Sequence, residues 1–445
     1  MSTKGVSRRT FVGDVAAAGM AFTIVPRHVL GGPGYRAPSD TLNMACIGVG
    51  GRGRSDLNGV SVENIYALCD VDSRAVAAAA GAHPAAKQYK DFRVMLEEEG
   101  DNIDAVTVAT PDHTHTVAAM AAMKLGKHVY CEKPLARTIH EVGQLVEGAR
   151  RYGVATQMGN QGHAAEGMRR IREWVEAGAI GTVREVQYWT NRPIWPQALE
   201  RPLEAMHTPA YLDWDLWLGP APRRPYHPAY APFRWRGWWD YGTGALGDIA
   251  CHSMDAAYWA LDLGYPTRIV PESTPLFEET APAASRIEYD FPARGGRPAL
   301  KVVWRDGNFS PPRPEEIGDE SRWPIESSGQ IWVGDDGKLF AGMYGENARL
   351  LDADRDAEIR ANPPAERYPR TEGVYAEWIA ACKGGQPAGS NFVDHSGPLT
   401  EMVLLGNLAV RAARTLELDP ATGRITNANI PEDYVKPTYR EGWTL

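Results

Sequence analysis

The stretch Asn43–Gly53 reads Asn-Met-Ala-Cys-Ile-Gly-Val-Gly-Gly-Arg-Gly. Its apolar half predicts a buried strand over 44–47, and its second half is a Gly-x-Gly-x-x-Gly motif. In such a motif the first glycine permits a tight turn, the second lets the backbone approach a pyrophosphate, and the third lets the next helix lie close to the strand. The amides at the start of that helix bind phosphates. The candidate cofactor-binding residues here are Gly48, Gly50, Gly51, Arg52 and Gly53.

A second apolar run, 64–69, ends in Asp70, about 20 residues beyond the glycine motif. A carboxylate at this spacing accepts hydrogen bonds from the adenosine ribose of a bound dinucleotide. Its charge repels a 2′-phosphate, so the sequence favours NAD over NADP. Arg52, Arg54 and Arg74 lie nearby in the sequence and weaken that repulsion, which leaves NADP open.

Strand-like and helix-like segments alternate between residues 42 and 160, which is typical of a parallel, doubly wound sheet. The further strands predicted in this part are 103–109, 128–131 and 154–158, and the helices are 73–81, 92–99, 115–125 and 138–152. The later helices predicted are 166–177, 245–263, 373–381 and 400–414, and the later strands are 183–190, 286–289, 300–304, 330–333 and 338–341.

The length, composition, net charge and cysteine spacing limit the classes of protein to which the chain could belong. The chain has 445 residues, which is too many for one hydrophobic core, and it is 43% hydrophobic and 23% charged. A net charge of −9 argues against nucleic acid or an anionic membrane as a partner. The five cysteines are widely spaced and no pair has metal-ligand spacing, so we expect no disulfide framework and no metal site.

The N-terminal segment has the pattern of a targeting signal. Ser7-Arg8-Arg9-Thr10-Phe11-Val12 resembles a twin-arginine export signal and is followed by an apolar run over 15–25 that Pro26 closes. This pattern predicts export to the periplasm, although no clear Ala-x-Ala cleavage site follows. The alternative is a disordered basic arm on a cytoplasmic protein. Beyond this run, no segment is apolar and long enough to be a transmembrane helix.

Four pieces of the sequence together resemble one family. They are 48–53, Cys69-Asp70-Val71-Asp72, Thr110-Pro111-Asp112-His113-Thr114-His115 and Gly126-Lys127-His128-Val129-Tyr130-Cys131-Glu132-Lys133-Pro134. In this order they resemble the Gfo/Idh/MocA family, named for glucose–fructose oxidoreductase, inositol dehydrogenase and a rhizopine-catabolism protein. The similarity runs from about residue 42 to Arg411.

The resemblance implies the architecture. It implies an α/β protein, with an N-terminal Rossmann domain followed by an α+β domain that has a large, open, mostly antiparallel sheet. We expect an export signal and linker over 1–36, an NAD(P)-binding domain over 41–162, a substrate domain over 163–415 and a tail over 416–445. The family often forms dimers or tetramers through the open sheet, so a homo-oligomer is expected.

The resemblance also implies the catalytic residues. Lys133 of Glu132-Lys133-Pro134 is expected to hydrogen-bond the reacting oxygen, at the strand edge where open α/β sheets bind ligands. Asp248 and His252 are four residues apart on a predicted helix, so they share a face. His252 is expected to be the general base, with a pKa near neutrality, and Asp248 to orient it or to hold a substrate hydroxyl. A surface ion pair or a metal pair is the alternative for these two residues.

Other candidates border the same crevice. By family likeness the cofactor-binding set also includes Asp70, Thr110, Pro111, Asp112, His115, Glu132, Lys133 and Asn160. A Trp-rich loop over 189–239 offers rings that stack on sugars, or that simply pack the sheet against its loops. Only its end, 235–241, is expected to reach substrate. The substrate-binding candidates are His163, Arg236, Trp238, Trp239, Tyr241, Asp248 and His252.

The residues and the resemblance favour an NAD(P)-dependent oxidoreductase. It would transfer a hydride to or from a hydroxyl-bearing carbon of a sugar, glycoside or polyol, with tightly bound NAD. One alternative is an NAD-dependent redox glycosidase or lyase, in which oxidation acidifies a neighbouring C–H, elimination breaks the glycosidic bond and the same hydride returns. A non-catalytic binding protein and a metal-dependent hydrolase are weaker alternatives.

Overall fold

The structure is a computed structural model that describes residues 40–318 and 323–445. Residues Asn43–Leu445 form one compact unit. The predicted export signal over 1–36 lies outside the described residues. No helix within the described residues is long and apolar enough to cross a membrane.

A six-stranded sheet organises the first part of the unit. Its strands are β1 (Asn43–Ile47), β2 (Asn64–Cys69), β3 (Lys87–Tyr89), β4 (Ala105–Val108), β5 (His128–Cys131) and β6 (Thr156–Met158). Every pair is parallel, in the order β3-β2-β1-β4-β5-β6. The order reverses between β1 and β4, and a crevice opens beyond the carboxyl ends of the strands at such a point. The predicted parallel, doubly wound sheet is confirmed.

The helices between these strands begin and end where local chemistry favours it. They are α1 (Arg52–Val60), α2 (Ser73–Ala82), α3 (Phe92–Glu99), α4 (Asp112–Lys124) and α5 (Ile139–Tyr152). The clearest boundaries belong to α5. Thr138 and Glu141 form a reciprocal capping box at its start, and Gly153 ends it in the left-handed conformation that glycine adopts readily.

An eight-stranded sheet organises the rest of the unit. Its strands are β7 (Val183–Thr190), β8 (Arg268–Ser273), β9 (Ser285–Phe291), β10 (Leu300–Arg305), β11 (Ser328–Gly334), β12 (Gly337–Gly342), β13 (Arg349–Leu350) and β14 (Leu416–Glu417). Their order is β13-β12-β11-β7-β10-β9-β8-β14. Only the β7–β10 pair is parallel, so the expectation of a mostly antiparallel second sheet is confirmed.

The remaining helices follow β6 along the chain. They are α6 (Glu166–Glu176), α7 (Trp214–Leu218), α8 (Gly244–Ser253), α9 (Asp255–Ala260), α10 (Ala353–Ala361), α11 (Val374–Cys382), α12 (Gly397–Arg411) and α13 (Glu432–Val435). A π-helical turn over Phe392–Ser396 precedes α12. The single helix predicted over 245–263 is wrong, because the chain breaks at Met254 into α8 and α9.

Candidate active site

The turn after β1 fits a bound pyrophosphate. At Gly48 (φ +79°) a Cβ would lie 2.6 Å from the carbonyl oxygen of Ala109, and at Gly53 a Cβ would lie 1.9 Å from the carbonyl oxygen of Gly48. Both positions therefore require glycine. Gly51 (φ +50°), in contrast, faces open space and is exposed. The turn is tight on its inner side and open on the side where α1 begins, which is the arrangement that a dinucleotide requires.

Asp70 braces this turn. Its Oδ2 accepts hydrogen bonds from the backbone amides of Val49 (2.9 Å) and Gly50 (3.2 Å), and its Oδ1 accepts one from the amide of Asp72 (2.9 Å). Burial raises the pKa of Asp70, and these three amides oppose that rise. Asp70 lies at the carboxyl end of β2 as expected, and its contact with a ribose stays a prediction.

Arg52 is the first residue of α1, and its guanidinium pairs with two carboxylates. Its Nε donates to Glu132 (3.1 Å), and its Nη2 contacts Asp56 (2.9 Å) and the Tyr375 hydroxyl (2.7 Å). Burial raises the pKa of Asp56 to about 8, and the neighbouring charge of Glu132 adds to the rise. Asp56 and Tyr375 were not among the sequence candidates, because Tyr375 comes from α11 and nothing in its local pattern indicates this contact. Glu132 is buried in this group.

Lys133 lies at the carboxyl end of β5, and its ammonium meets α8. Its Nζ donates to the backbone oxygen and to Oδ1 of Asp248, each at 2.9 Å. Arg236 donates its Nε to the same Oδ1 at 3.1 Å. Burial opposes the charge on Lys133, but Asp248 and then Glu132 raise its pKa. Burial likewise opposes the charge on Asp248, yet Lys133 and Arg236 lower its pKa. This group therefore holds a charged ammonium at neutral pH.

His252 lies one turn further along α8 and is buried. Its Nδ1 has no hydrogen-bond partner among the described residues, and Tyr344 meets the ring edge-on with centroids 4.8 Å apart. Burial and then the charge of Lys133 lower the pKa of His252 to about 3. The predicted pKa near neutrality is therefore not supported, because the ring is buried and lies near the Lys133 ammonium. The oxygen Oδ1 of Asp248, expected to orient His252, instead bonds to Lys133 and Arg236. Tyr344, from the turn after β12, was not predicted.

The segment after β4 begins with half-buried residues and continues with buried ones. Thr110 and Pro111 are half-buried at the crevice. His115 is buried, and its two ring nitrogens face the carbonyl oxygens of Pro134 (2.9 Å) and Thr110 (2.8 Å). The ring thus ties the loop after β4 to the loop after β5, so the structure supports a positioning role rather than direct cofactor contact. Asp112 is also buried and accepts a hydrogen bond from Thr243, at the start of α8.

Two further candidates lie beneath the crevice rather than at its surface. Asn160 is fully buried, and its Nδ2 donates to Asp255 Oδ2 (2.9 Å). His163 Nδ1 contacts Asp255 Oδ1 at 2.9 Å, and His395 Nε2 contacts the same oxygen at 2.6 Å. His163 is therefore engaged by Asp255, and its predicted role as a substrate ligand is not supported. His395 and Asp255 were missed, since 92 and 140 residues separate Asp255 from the two histidines.

The end of the Trp-rich loop is buried. Trp238 is 1% exposed, Trp239 7% and Tyr241 0%, and Trp238 and Tyr241 belong to an aromatic cluster with Trp217 and Tyr230. The packing of Trp238 and Tyr241 in this cluster does not support the expectation that they bind substrate, and for Trp239 substrate contact stays a prediction. Arg236 alone from this segment reaches Asp248.

These features define a class of protein, a two-sheet oxidoreductase with a dinucleotide-binding turn. Two family models match the chain. One, described as "Oxidoreductase family, NAD-binding Rossmann fold", covers residues 42–160, and the other, "Oxidoreductase family, C-terminal alpha/beta domain", covers residues 168–297. The chain belongs to the Gfo/Idh/MocA oxidoreductase family.

Individual relatives are similar over part of their length. A glycosyl hydrolase family 109 protein of Saccharopolyspora erythraea is 37% identical over 159 residues, which are 32% of this chain and 34% of the relative. The levoglucosan dehydrogenase of Pseudarthrobacter phenanthrenivorans is 27% identical over 172 residues, 38% of this chain and 35% of that protein. The chain thus spans about a third of the length of these curated relatives.

A solved structure shares the whole fold. The WlbA dehydrogenase of Bordetella pertussis, in complex with NADH and UDP-GlcNAcA, superimposes with a TM-score of 0.60 at 17% identity. The match covers 85% of this chain and 99% of that one. At this identity the likeness establishes the fold alone.

Proposed function

We propose that the chain is an NAD-dependent oxidoreductase that oxidises or reduces a hydroxyl-bearing carbon of a sugar, glycoside or polyol. The observation that carries the proposal is the charged Lys133 ammonium, 2.9 Å from Asp248 and at the carboxyl end of β5. Ligands of open α/β sheets bind at this edge. The levoglucosan dehydrogenase relative, by its name, acts on a carbohydrate.

Each residue of the site has a separate role at the reacting oxygen. When bound, a nicotinamide supplies the redox chemistry, because it accepts or returns the carbinol hydrogen with its electron pair. Lys133 donates a hydrogen bond to the reacting oxygen and stabilises the negative charge that develops there. Neutral His252 accepts the hydroxyl proton at a ring nitrogen. Asp248 and Arg236 hold the Lys133 ammonium in place.

The cofactor is proposed to be NAD, held by the turn over Gly48–Gly53 and by Asp70. The purified protein should be denatured, and any released nucleotide identified by its ultraviolet spectrum and mass. Protein freed of nucleotide should then be assayed with NAD and a panel of polyols, sugars and glycosides. NADH formed in proportion to one class of compound supports the proposal. A protein that binds no nicotinamide nucleotide would refute it.

A second candidate is a redox glycosidase, which the glycosyl hydrolase family 109 relative favours at 37% identity. A bound NAD would take the hydride from a ring carbon and later return it. Between these steps the aglycone would leave by elimination and water would add to the resulting double bond, so that no net NADH would form. Purified protein that still holds its nucleotide should be incubated with aryl glycosides and no added NAD. Aglycone release without NADH accumulation favours the glycosidase, whereas NADH accumulation without aglycone release favours the dehydrogenase.

We also propose export through the twin-arginine route, on the strength of Ser7-Arg8-Arg9-Thr10-Phe11-Val12. This route carries folded proteins, so NAD would be bound before export. Residues 1–36 should direct a reporter to the periplasm, and changing Arg8 and Arg9 to lysine should abolish that delivery. A reporter that stays in the cytoplasm with the native segment contradicts the proposal.

We also propose that copies of the chain associate into a homo-oligomer through the eight-stranded sheet. Along β9 buried residues alternate with half-buried Arg286, Glu288 and Asp290, so one face of the strand is polar and charged. An interface on that face would rely on charge pairs, which salt screens. Light scattering should therefore give a dimer or tetramer mass that falls as salt rises. A monomer at all salt concentrations would contradict the proposal.

A further inference from the structure

A buried cluster lies beneath the active site and outside the machinery described so far. It consists of His163, Asp255 and His395, which are 2%, 1% and 5% exposed. The three come from separate elements: the turn after β6, the first residue of α9 and the π-helical turn before α12. Their donor atoms all lie within 4.8 Å of one another.

The donor set has the chemistry of a metal site. Two imidazole nitrogens and a carboxylate oxygen are typical ligands of Zn²⁺. Around a tetrahedral zinc ion with bonds of about 2.0–2.1 Å, neighbouring donor atoms lie about 3.3 Å apart. Here Asp255 Oδ1 lies 2.9 Å from His163 Nδ1 and 2.6 Å from His395 Nε2. These two separations therefore need to lengthen by less than about 1 Å for the ion to be held.

A second observation comes from Asn160. The side chain is fully buried, and its Oδ1 has no hydrogen-bond partner among the described residues, although its Nδ2 contacts Asp255. A buried amide oxygen without a donor is costly. In the structure Nδ2, and not Oδ1, faces Asp255. Turning the amide would exchange the two atoms and offer Oδ1 to a cation beside Asp255.

We propose that His163, Asp255 and His395 bind a structural Zn²⁺ ion, with Asn160 as the fourth polar neighbour. All three side chains are already in contact with one another and are buried, which is typical of a structural and not a catalytic metal site. It lies at the break between α8 and α9, three residues after His252, and joins that break to the turn after β6 and to the turn before α12. The ion stabilises the frame that holds His252 and takes no part in the redox step.

Zinc content tests the proposal without any activity assay. The full chain, without a histidine tag, should be produced in zinc-supplemented medium, dialysed against metal-free buffer and analysed by mass spectrometry for metals. We expect about one zinc per chain in the native protein, and a chelator should lower its melting temperature. His395→Asn and Asp255→Asn should lose the zinc. His128→Asn, a half-buried histidine of β5 outside the cluster, should keep it.

Two results would overturn the proposal. One is native protein that holds no zinc after incubation with Zn²⁺ and shows no change in melting temperature. The other is zinc that is retained by folded His395→Asn protein. X-ray absorption of the native protein keeps the test decisive if the variants fail to fold. Nitrogen and oxygen ligation supports the cluster, whereas sulfur ligation would place the ion on cysteines and exclude it.

Discussion

Lys133 and Asp248 are joined twice across the boundary between the two sheets, since Nζ of Lys133 lies 2.9 Å from both the backbone oxygen and Oδ1 of Asp248. The lysine follows β5 of the parallel sheet, and the aspartate lies on α8. The pair fixes the ammonium at the carboxyl end of β5, the edge at which open α/β sheets bind ligands. It also links the nucleotide-binding part of the fold to the helix that carries His252.

The first prediction concerns the charge of Asp248. In Asp248→Asn the carboxylate that raises the pKa of Lys133 is gone, while burial still disfavours the ammonium. The pKa of Lys133 should therefore fall, and the alkaline limb of kcat/KM should move to lower pH by about one unit or more. The pH profile of kcat/KM measures this shift. Asp213→Asn, whose carboxylate pairs with exposed Lys90, should leave the profile unchanged. An unmoved limb in Asp248→Asn contradicts the assignment.

The second prediction concerns the ammonium itself. Lys133→Met keeps an unbranched side chain, shorter by one atom, and removes its charge and its donors. The reacting oxygen then loses its stabilisation, so kcat should fall about 10²-fold or more. Binding of NADH, measured by fluorescence, should stay close to that of the native protein. Lys90→Met, at an exposed lysine, serves as the control. Turnover that survives in Lys133→Met would refute the role of this lysine.

The third prediction concerns His252 and acid pH. Since burial and Lys133 lower its pKa to about 3, the imidazole is neutral at every pH above that value. The kcat/KM profile should therefore lack a limb at the pH where an unperturbed histidine titrates, about 6.5. The profile should be measured from acid to neutral pH, with recovery at neutral pH confirming that the protein stays folded. A limb near an ordinary histidine pKa, lost in His252→Asn, would contradict the prediction.

The first sheet follows from its sequence because local signals and the fold agree there. The glycine motif, the apolar run ending in Asp70 and the strand before Lys133 each belong to a βα unit, whose strands pair in parallel with their sequence neighbours or close to them. The predicted strand over 44–47 corresponds to β1, and 128–131 to β5. Short edge elements such as β3 and β14 escaped prediction, since two or three residues carry no periodic signal.

The site was harder to predict, because its partners are distant in sequence. Tyr344 reaches His252 from the turn after β12, and Tyr375 reaches Arg52 from α11. Neither has a motif around it. The Trp-rich segment has a conspicuous pattern, but that pattern has two meanings, because aromatic residues serve sugar binding and packing equally well. Sequence alone does not give the exposed fraction of a ring. In the structure Tyr241 is fully buried.

The fourth prediction concerns the glycine turn. A methyl group at Gly53 would lie 1.9 Å from the carbonyl oxygen of Gly48, so Gly53→Ala forces the turn to move. We expect NAD to bind about tenfold more weakly or worse, and the free energy of unfolding to fall by about 2 kcal/mol. NADH titration of nucleotide-free protein and urea unfolding measure the two effects. Gly143→Ala in α5, where an added Cβ meets no atom within 4 Å, should leave NAD binding intact and change stability by less than about 1 kcal/mol. Equal effects of the two substitutions would contradict the prediction.

The fifth prediction separates packing from substrate binding in the Trp-rich loop. Trp238 is 1% exposed and donates its Nε1 hydrogen to the carbonyl oxygen of Ala229 at 2.9 Å. Trp238→Phe leaves a void and an unpaired carbonyl, so the free energy of unfolding should fall by about 2–4 kcal/mol. Because the ring packs against Tyr230 in the buried aromatic cluster, we expect KM for the substrate to stay unchanged below the unfolding transition. Phe233→Leu, at a ring of the same loop that is 44% exposed, should change stability little. A rise in KM without a loss of stability in Trp238→Phe would return this tryptophan to the substrate site.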